Sequence, residues 1–390
     1  MTMKRSHRAA LAAAATTGAA LAVLSSTYGR TPAELWLSSL FGTASAAVAS
    51  AELSWIADPE RDARLARVSA ERAPRELSEL RAPARLLYGA HDGGLPGDVG
   101  GYLALEEAVG QTLLLTQIYA AWGDGAEQRF PSRAARAIWA VGSVPVITWE
   151  PWLSAFKRPR LSLRPAATPD HGGLTDIAGG AYDAYIDGWA KAAAEHGHPI
   201  LLRFAHEMND GYRYPWGPVN NPDPREFIRA WRHVVGRFRA AGAGNVLWVW
   251  APSVSYENYW EYYPGSEWVD WVATGVLNYG TAVRWSRWYS FQELFARHYE
   301  RLAPLGKPLM IAELGTLAAG GDRARWYEEA LTGFAERHPA VKALLFFHVA
   351  SDATVTHEPL SWAFADDPAV AGAVRRALAA QANHAQEVQR

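Results

Sequence analysis

Two short stretches carry residue types that could do chemistry. Residues 203–217 read RFAHEMNDGYRYPWG, and residues 307–315 read KPLMIAELG. His206-Glu207 begins as a helical zinc-hydrolase signature would, but the position of its second histidine holds Asp210. The run upstream, PILLRFA, is entered through Pro199 and has the length of a strand rather than a helix. A carboxylate at the end of such an apolar run is costly unless something needs it. Here there are two, Glu207 and Glu313. A pair of this kind suits proton donation by one carboxylic acid beside an ionised partner that attacks or acts as a base.

Such a pair must be held by a frame. From about residue 85 the chain shows eight strand-like runs: RLLYGAH, TLLLTQIYAAWG, VPVITWEPW, PILLRFAHE, VLWVWAPSV, WVATGVLNYG, PLMIAELG and ALLFFHVASD. Between them lie stretches of helical period such as YDAYIDGWAKAAAEHG and PREFIRAWRHVVGRFRAAG, while the link after the fifth run (YENYWEYYPGSEW) is the least regular. Continuous apolar strands alternating with amphipathic helices predict an α/β fold with a parallel sheet covered by helices. Eight units over residues 85–380 predict a closed (β/α)8 TIM barrel rather than an open sheet. No G-x-G-x-x-G follows the first run and no P-loop pattern occurs, so a nucleotide lacks its usual cradle. In such a barrel chemistry collects where strands end. The residues expected there are His91 and Asp92, Trp122 and Asp124, Glu150 and Trp152, His206 and Glu207, Tyr279, Glu313, and His348 with Asp352.

The motif His206-Glu207-Met208-Asn209, with Arg203 before it and Pro215-Trp216-Gly217 after it, resembles glycoside hydrolase family 26, a family of β-mannanases and related β-glycanases in the retaining (β/α)8 clan. KPLMIAELG is similar to the seventh-strand segment that carries that family's nucleophile. The resemblance implies Glu207 as general acid/base and Glu313 as nucleophile. It also implies a sugar contact for His206, a hydrogen bond from Tyr279 to the nucleophile, and Trp216 lining the glycan cleft. Arg203, Asn209, Tyr212 and Trp152 complete the expected substrate-binding set. Arg203, four residues before Glu207, lies on the same strand face and could supply positive charge. Strict alternation would send His206 and Glu207 to opposite faces, so both reach one site only if the strand ends or bulges there; otherwise His206 is a packing histidine. Glu150 is a third strand-end carboxylate, suited either to a sugar hydroxyl or to an arginine. His91, Asp92 and Asp124 are candidate rim contacts.

The chain departs from the mannanase pattern at Tyr212, where Trp is usual, and at Pro215 within the expected WWG, which opens the choice of sugar. The expectation is therefore a retaining, endo-acting hydrolase of a β-mannan or β-glucan. The alternative is a non-catalytic glycan-binding barrel beside an exopolysaccharide secretion machine. A metal-dependent hydrolase ranks last, for no H-E-x-x-H occurs. The 18 Trp and 16 Tyr, in part clustered beside polar loop residues, suit a ligand with apolar faces and polar edges.

A formal net charge of -2 over 390 residues gives no electrostatic case for nucleic acid as partner, and the absence of cysteine removes thiolate chemistry and disulfides. The expected partner is a β-linked polysaccharide met by a monomer, with no cofactor and no metal. Lys4, Arg5 and Arg8 precede AALAAAATTGAALAVL, a basic-then-apolar start that predicts a signal peptide or membrane anchor over residues 1–50 and a secreted or tethered protein. Residues 51–84 read as a linker or peripheral helix.

Overall fold

The structure is a computed structural model that describes residues 75–98, 100–156 and 169–388. The predicted signal or anchor at 1–50 lies outside the described residues. Among the described residues no helix is long and apolar enough to cross a membrane.

Eight strands form a closed barrel in chain order: β1 (Leu87–Asp92), β2 (Leu115–Ala121), β3 (Val144–Glu150), β4 (Ile200–Phe204), β5 (Val246–Trp250), β6 (Trp271–Asn278), β7 (Leu309–Thr316) and β8 (Val341–His348). All eight pairings are parallel, including the closing one between β1 and β8. Parallel neighbours cannot be joined by tight turns, so each link crosses over the outside. Ahead of the barrel stands α1 (Leu77–Arg81), and the crossovers carry α2 (Gly100–Val109), α3 (Ser132–Ala140), α4 (Gly173–Ala178), α5 (Asp183–His196), α6 (Pro224–Ala240), α7 (Phe291–Leu302), α8 (Arg323–Leu331) and α9 (Phe334–Arg337). The link from β5 to β6 holds only short 3₁₀ turns at Glu257–Tyr262 and Ser266–Trp268, in keeping with its irregular sequence. After β8, α10 (Pro368–Val388) packs on α8 and α2 and closes the ring.

Helix α6 shows why these segments fold as they do. Asp223 caps it by accepting from the Arg225 amide, Pro224 takes the first turn, and Arg237 and Arg239 sit at the negative end of its dipole. Its buried residues, Phe227, Ala230, Trp231, Val234, Val235 and Phe238, recur at three- and four-residue spacing and face the sheet.

The strands bury both faces. On β4, Leu201 joins the barrel interior, whereas Leu202 and Phe204 join the layer between strands and helices. The same alternation places Val144 and Val146 inside and Ile147 and Trp149 outside on β3. The N-terminal half of the barrel interior is thus apolar, and Leu80 of α1 is fully buried against it, with the Trp271 indole N–H donating to the Leu80 carbonyl at 2.9 Å. This helix falls within the stretch read as linker or peripheral helix.

Candidate active site

Continuing each strand's alternation toward its C-terminal end changes the interior from apolar to polar. The inward phase reaches Gln117 and Tyr119 on β2, Thr148 and Glu150 on β3, and Arg203 on β4. Arg203 is 2% exposed. Its guanidinium donates to Thr148 Oγ1 at 2.9 Å, to the Tyr119 hydroxyl at 3.2 Å and to Glu313 Oε1 at 2.6 Å.

Neither expected catalytic carboxylate follows the alternation. On β7 the register against β6 shifts so that Thr274 faces Ile311 while the next residue, Gly275, faces Glu313. Against β8 the register slips between Ile311 and Leu314. Met310 and Ala312 point inward, so unbroken alternation would send Glu313 out among the helices; the bulge turns it in. On the fourth strand the ladder ends at Phe204, and both Ala205 (φ 44°) and Glu207 (φ 51°) take left-handed backbone. Such conformations cost a non-glycine residue about 1–3 kcal/mol each and cluster at functional sites. Here they let His206 and Glu207 sit at one strand end without opposing each other across the sheet. The Glu207 amide still finds a partner, the Ala251 carbonyl, at 2.7 Å.

The two carboxylates meet above Gly275 of β6. A β-carbon at that glycine would stand 3.9 Å from Glu313 Oε2 and 4.0 Å from Glu207 Oε1. Each carboxylate gives its other oxygen to an arginine. Glu313 Oε1 accepts from Arg203 and, at 2.7 Å, from the Tyr119 hydroxyl. Glu207 Oε2 accepts from Arg213 at 3.2 Å.

Their protonation is driven apart. Burial alone would raise Glu313, but the Arg203 guanidinium, its hydrogen bond and that of Tyr119 outweigh burial and hold the carboxyl below its ordinary range. For Glu207 burial dominates over the pull of Arg213, the charge of Glu313 adds to it, and the group is raised. Glu150 accepts from the Trp152 indole at 3.1 Å, and burial pushes it up to about 7.

Other expected residues take different posts. The hydrogen bond implied for Tyr279 comes instead from Tyr119; the Tyr279 hydroxyl accepts from Arg213 at 3.4 Å. Trp216, expected to line the cleft, is 3% exposed, because its indole donates to the His206 carbonyl at 2.7 Å and its ring stacks under Tyr214 at 4.6 Å. Asn209 is buried and exchanges both amide bonds with the Ser253 backbone, tying the β4 and β5 ends together. His206 is buried as well; its Nε2 meets the Tyr214 hydroxyl at 2.9 Å, and burial, then Arg203, lowers its pKa well below the usual value, keeping it neutral. Tyr212 is 91% exposed and Trp152 is half-buried against Trp216. Arg203 serves Glu313 from within the barrel rather than facing the cleft.

The remaining strand-end groups are used by the fold. Asp92 Oδ2 lies 2.8 Å from His348 Nδ1, and Asp352 accepts from the Trp362 indole at 2.9 Å. His91 donates through Nδ1 to the Gln117 carbonyl at 3.0 Å and sets its ring edge against Tyr119. Trp122 is buried in an aromatic stack with Trp149 and Phe204, and Asp124 is partly exposed beyond it. The His196-Gly197-His198 spacing, which could suggest a metal pair, stands at the opposite end of the barrel where α5 leads into β4. Among the described residues no group of three His, Cys, Asp or Glu is placed to hold a metal ion.

Tyr119 and Arg213 join the site without belonging to either motif. Tyr119 shares a strand phase with Leu115 and Gln117 and was legible from period two. Arg213 lies in an aperiodic loop and left no such signal.

Comparison with known proteins agrees with this frame. Residues 178–328 match the family model described as Glycosyl hydrolase family 26. Endoglucanase H of Acetivibrio thermocellus is 34% identical over 256 residues, covering 63% of this chain and 25% of that protein. Beta-1,3-xylanase TXYA of a Vibrio species is 34% identical over 108 residues, covering 26% of this chain and 22% of that protein. The chain thus spans about a quarter of the length of these curated relatives. The solved GH26 β-mannanase of Bacteroides ovatus superposes with a TM-score of 0.55 at 17% identity, over 77% of this chain and 90% of that one, a likeness of fold. The family match runs from the end of α4 into α8 and takes in both carboxylate-bearing strand ends, so the part of the chain that holds the site is similar to glycosyl hydrolase family 26.

Proposed function

We propose that this chain is an exported, endo-acting β-glycan hydrolase that retains anomeric configuration. One observation carries the reading: two carboxyl groups turn one oxygen each toward a common space over Gly275, while their environments push their protonation in opposite directions. Glu207, raised, donates its proton to the leaving glycosidic oxygen. Glu313, ionised, attacks the anomeric carbon through Oε2, and its bond to carbon replaces the bond to the leaving sugar. Glu207 then takes a proton from water, which displaces Glu313 and frees the sugar. A non-catalytic binding barrel has no use for this opposed pair.

The endo-acting reading draws on aromatic rings on both sides of the mouth. Tyr214 and Trp152 stand on one side, and Trp285, 66% exposed and packed on Tyr279 at 4.9 Å, stands on the other. Relatives named as an endoglucanase and a β-1,3-xylanase support a β-linked polysaccharide substrate. Proton NMR of a β-linked hexasaccharide during cleavage tests the proposal. Internal fragments whose new reducing ends appear first as the β anomer are expected; the α anomer first would overturn retention.

Export rests on the basic-then-apolar start at Lys4, Arg5 and Arg8. Fractionation of cells carrying a tagged full-length chain should find it outside the cytoplasm, and a purely cytoplasmic pool would defeat this part of the proposal.

A further inference from the structure

Arg213 has no role in the chemistry above. It reaches from the loop after β4 across the barrel mouth. One guanidinium nitrogen lies 3.2 Å from Glu207 Oε2, and another lies 3.4 Å from both the Tyr279 hydroxyl and Thr354 Oγ1. Those last two contacts are long, and its side chain keeps 26% of its exposure against 2% for Arg203. It is therefore a loosely held fork that faces the cleft rather than a buried strut.

Its charge works against the general acid. A guanidinium on Glu207 favours the ionised form, whereas a proton donor needs the neutral one. The nucleophile already has its cation in Arg203. Arg203 is matched by Glu313 at 2.6 Å, whereas Arg213 meets, at 3.2 Å, the carboxyl that must be neutral to donate a proton, so its charge loses that partner in the reacting state. A neutral glycan gains nothing from that charge, but an acidic one does. The planar fork of arginine also matches a carboxylate better than it matches a hydroxyl.

We propose that Arg213 is a specificity residue for an acidic substrate: a β-glycan whose uronic acid carboxylate, on a sugar beside the cleaved bond, takes the guanidinium away from Glu207. This deepens the reading of the chain as a β-glycan hydrolase and rests on it. Substrate binding then relieves the acid of the charge that opposes it. The groups facing Glu207 are Arg213 and Asp210 from its own loop, Arg203 from β4, Glu313 from β7, and the Tyr214, Tyr256 and Tyr279 hydroxyls. Arg203 is locked by three partners, and Asp210 accepts from the Tyr212 and Arg213 amides, so Arg213 is the charge free to change sides.

The test uses the full chain with mixed-linkage β-glucan oligosaccharides and the same oligosaccharides oxidised at C6 to glucuronic acid. For the wild type, both kcat/KM and affinity should favour the oxidised form by about tenfold or more, the worth of one charge-assisted pair. In Arg213→Gln that ratio should fall to about one or below. The alkaline limb of kcat should lie at higher pH on the oxidised substrate than on its parent for the wild type, and coincide on both for the variant. A wild-type ratio of one or less, which needs no variant to fold, overturns the proposal; so does a preference that survives in Arg213→Gln. If neither substrate is cleaved, the hydrolase reading fails, while the affinity ratio still decides the role of Arg213.

Discussion

Glu313→Ala is expected to lower kcat/KM on every β-glycan substrate by about 10⁴-fold or more, the loss that follows from the nucleophilic role proposed for it. No glycosyl–enzyme bond can form, and no neighbour can replace it: Glu207 is raised and tied to Arg213, and Glu150 is pushed up to about 7. The alanine also opens space beneath the anomeric carbon. Azide entering there should restore part of the rate on an activated substrate and release an α-glycosyl azide. Glu207→Ala should behave differently. Its loss should be about 10²–10⁴-fold where the leaving group needs a proton, and small where it does not. Azide should then intercept the covalent intermediate from the other face and give the β-azide. Swapped azide products would exchange the two roles, and a Glu313→Ala activity within tenfold of wild type would remove Glu313 from the chemistry. Glu313→Gln, which still offers Arg203 an acceptor, guards against mistaking unfolding for lost catalysis.

The frame around this pair was more legible than the pair's own orientation. Parallel strands buried on both faces leave continuous apolar runs, so all eight strands could be read from runs such as PILLRFA and PLMIAELG. Period two then carries inward-facing residues forward, and Arg203 follows from Leu201. Glu207 and Glu313 both stand where that period breaks, one through left-handed backbone at Ala205 and Glu207, the other through a bulge on β7. Composition carries no trace of either break, since Ala205 and Ala312 are ordinary strand residues. Trp216 shows a second limit. An aromatic beside a catalytic motif suggests a sugar platform, but here the indole is spent on the His206 carbonyl and the ring supports Tyr214. Only the three-dimensional partner distinguishes a ring that receives substrate from one that braces its neighbour. The bond implied for Tyr279 went to Tyr119 for a similar reason: Tyr119 rises from the barrel interior on β2, directly within reach of Arg203 and Glu313.

Arg203→Met should both inactivate the enzyme and destabilise it by about 3–5 kcal/mol at neutral pH, the usual consequence of stranding one member of a buried ion pair. Arg203 is buried, and without it Glu313 would keep only the Tyr119 hydroxyl against the cost of burial. The sign of the pH dependence follows. In the wild type the folded pKa of Glu313 is depressed, so its ionised form contributes stability above the unfolded value of about 4.3 that fades as pH falls through the folded pKa. In the variant burial prevails and the folded pKa rises above the unfolded one. Folding then takes up a proton, and the penalty grows as pH climbs past the unfolded value. The stability gap between the two proteins should therefore be widest near neutrality and narrow below about pH 4. Urea unfolding of both at pH 7 and pH 4 measures it, with unchanged m-values confirming that the same surface unfolds. Adding Glu313→Gln to Arg203→Met should recover much of the stability, because it removes the stranded charge, while activity stays lost. A gap independent of pH, or a double variant no more stable than the single one, would show that Arg203 supports the barrel through packing alone and does not hold Glu313 ionised.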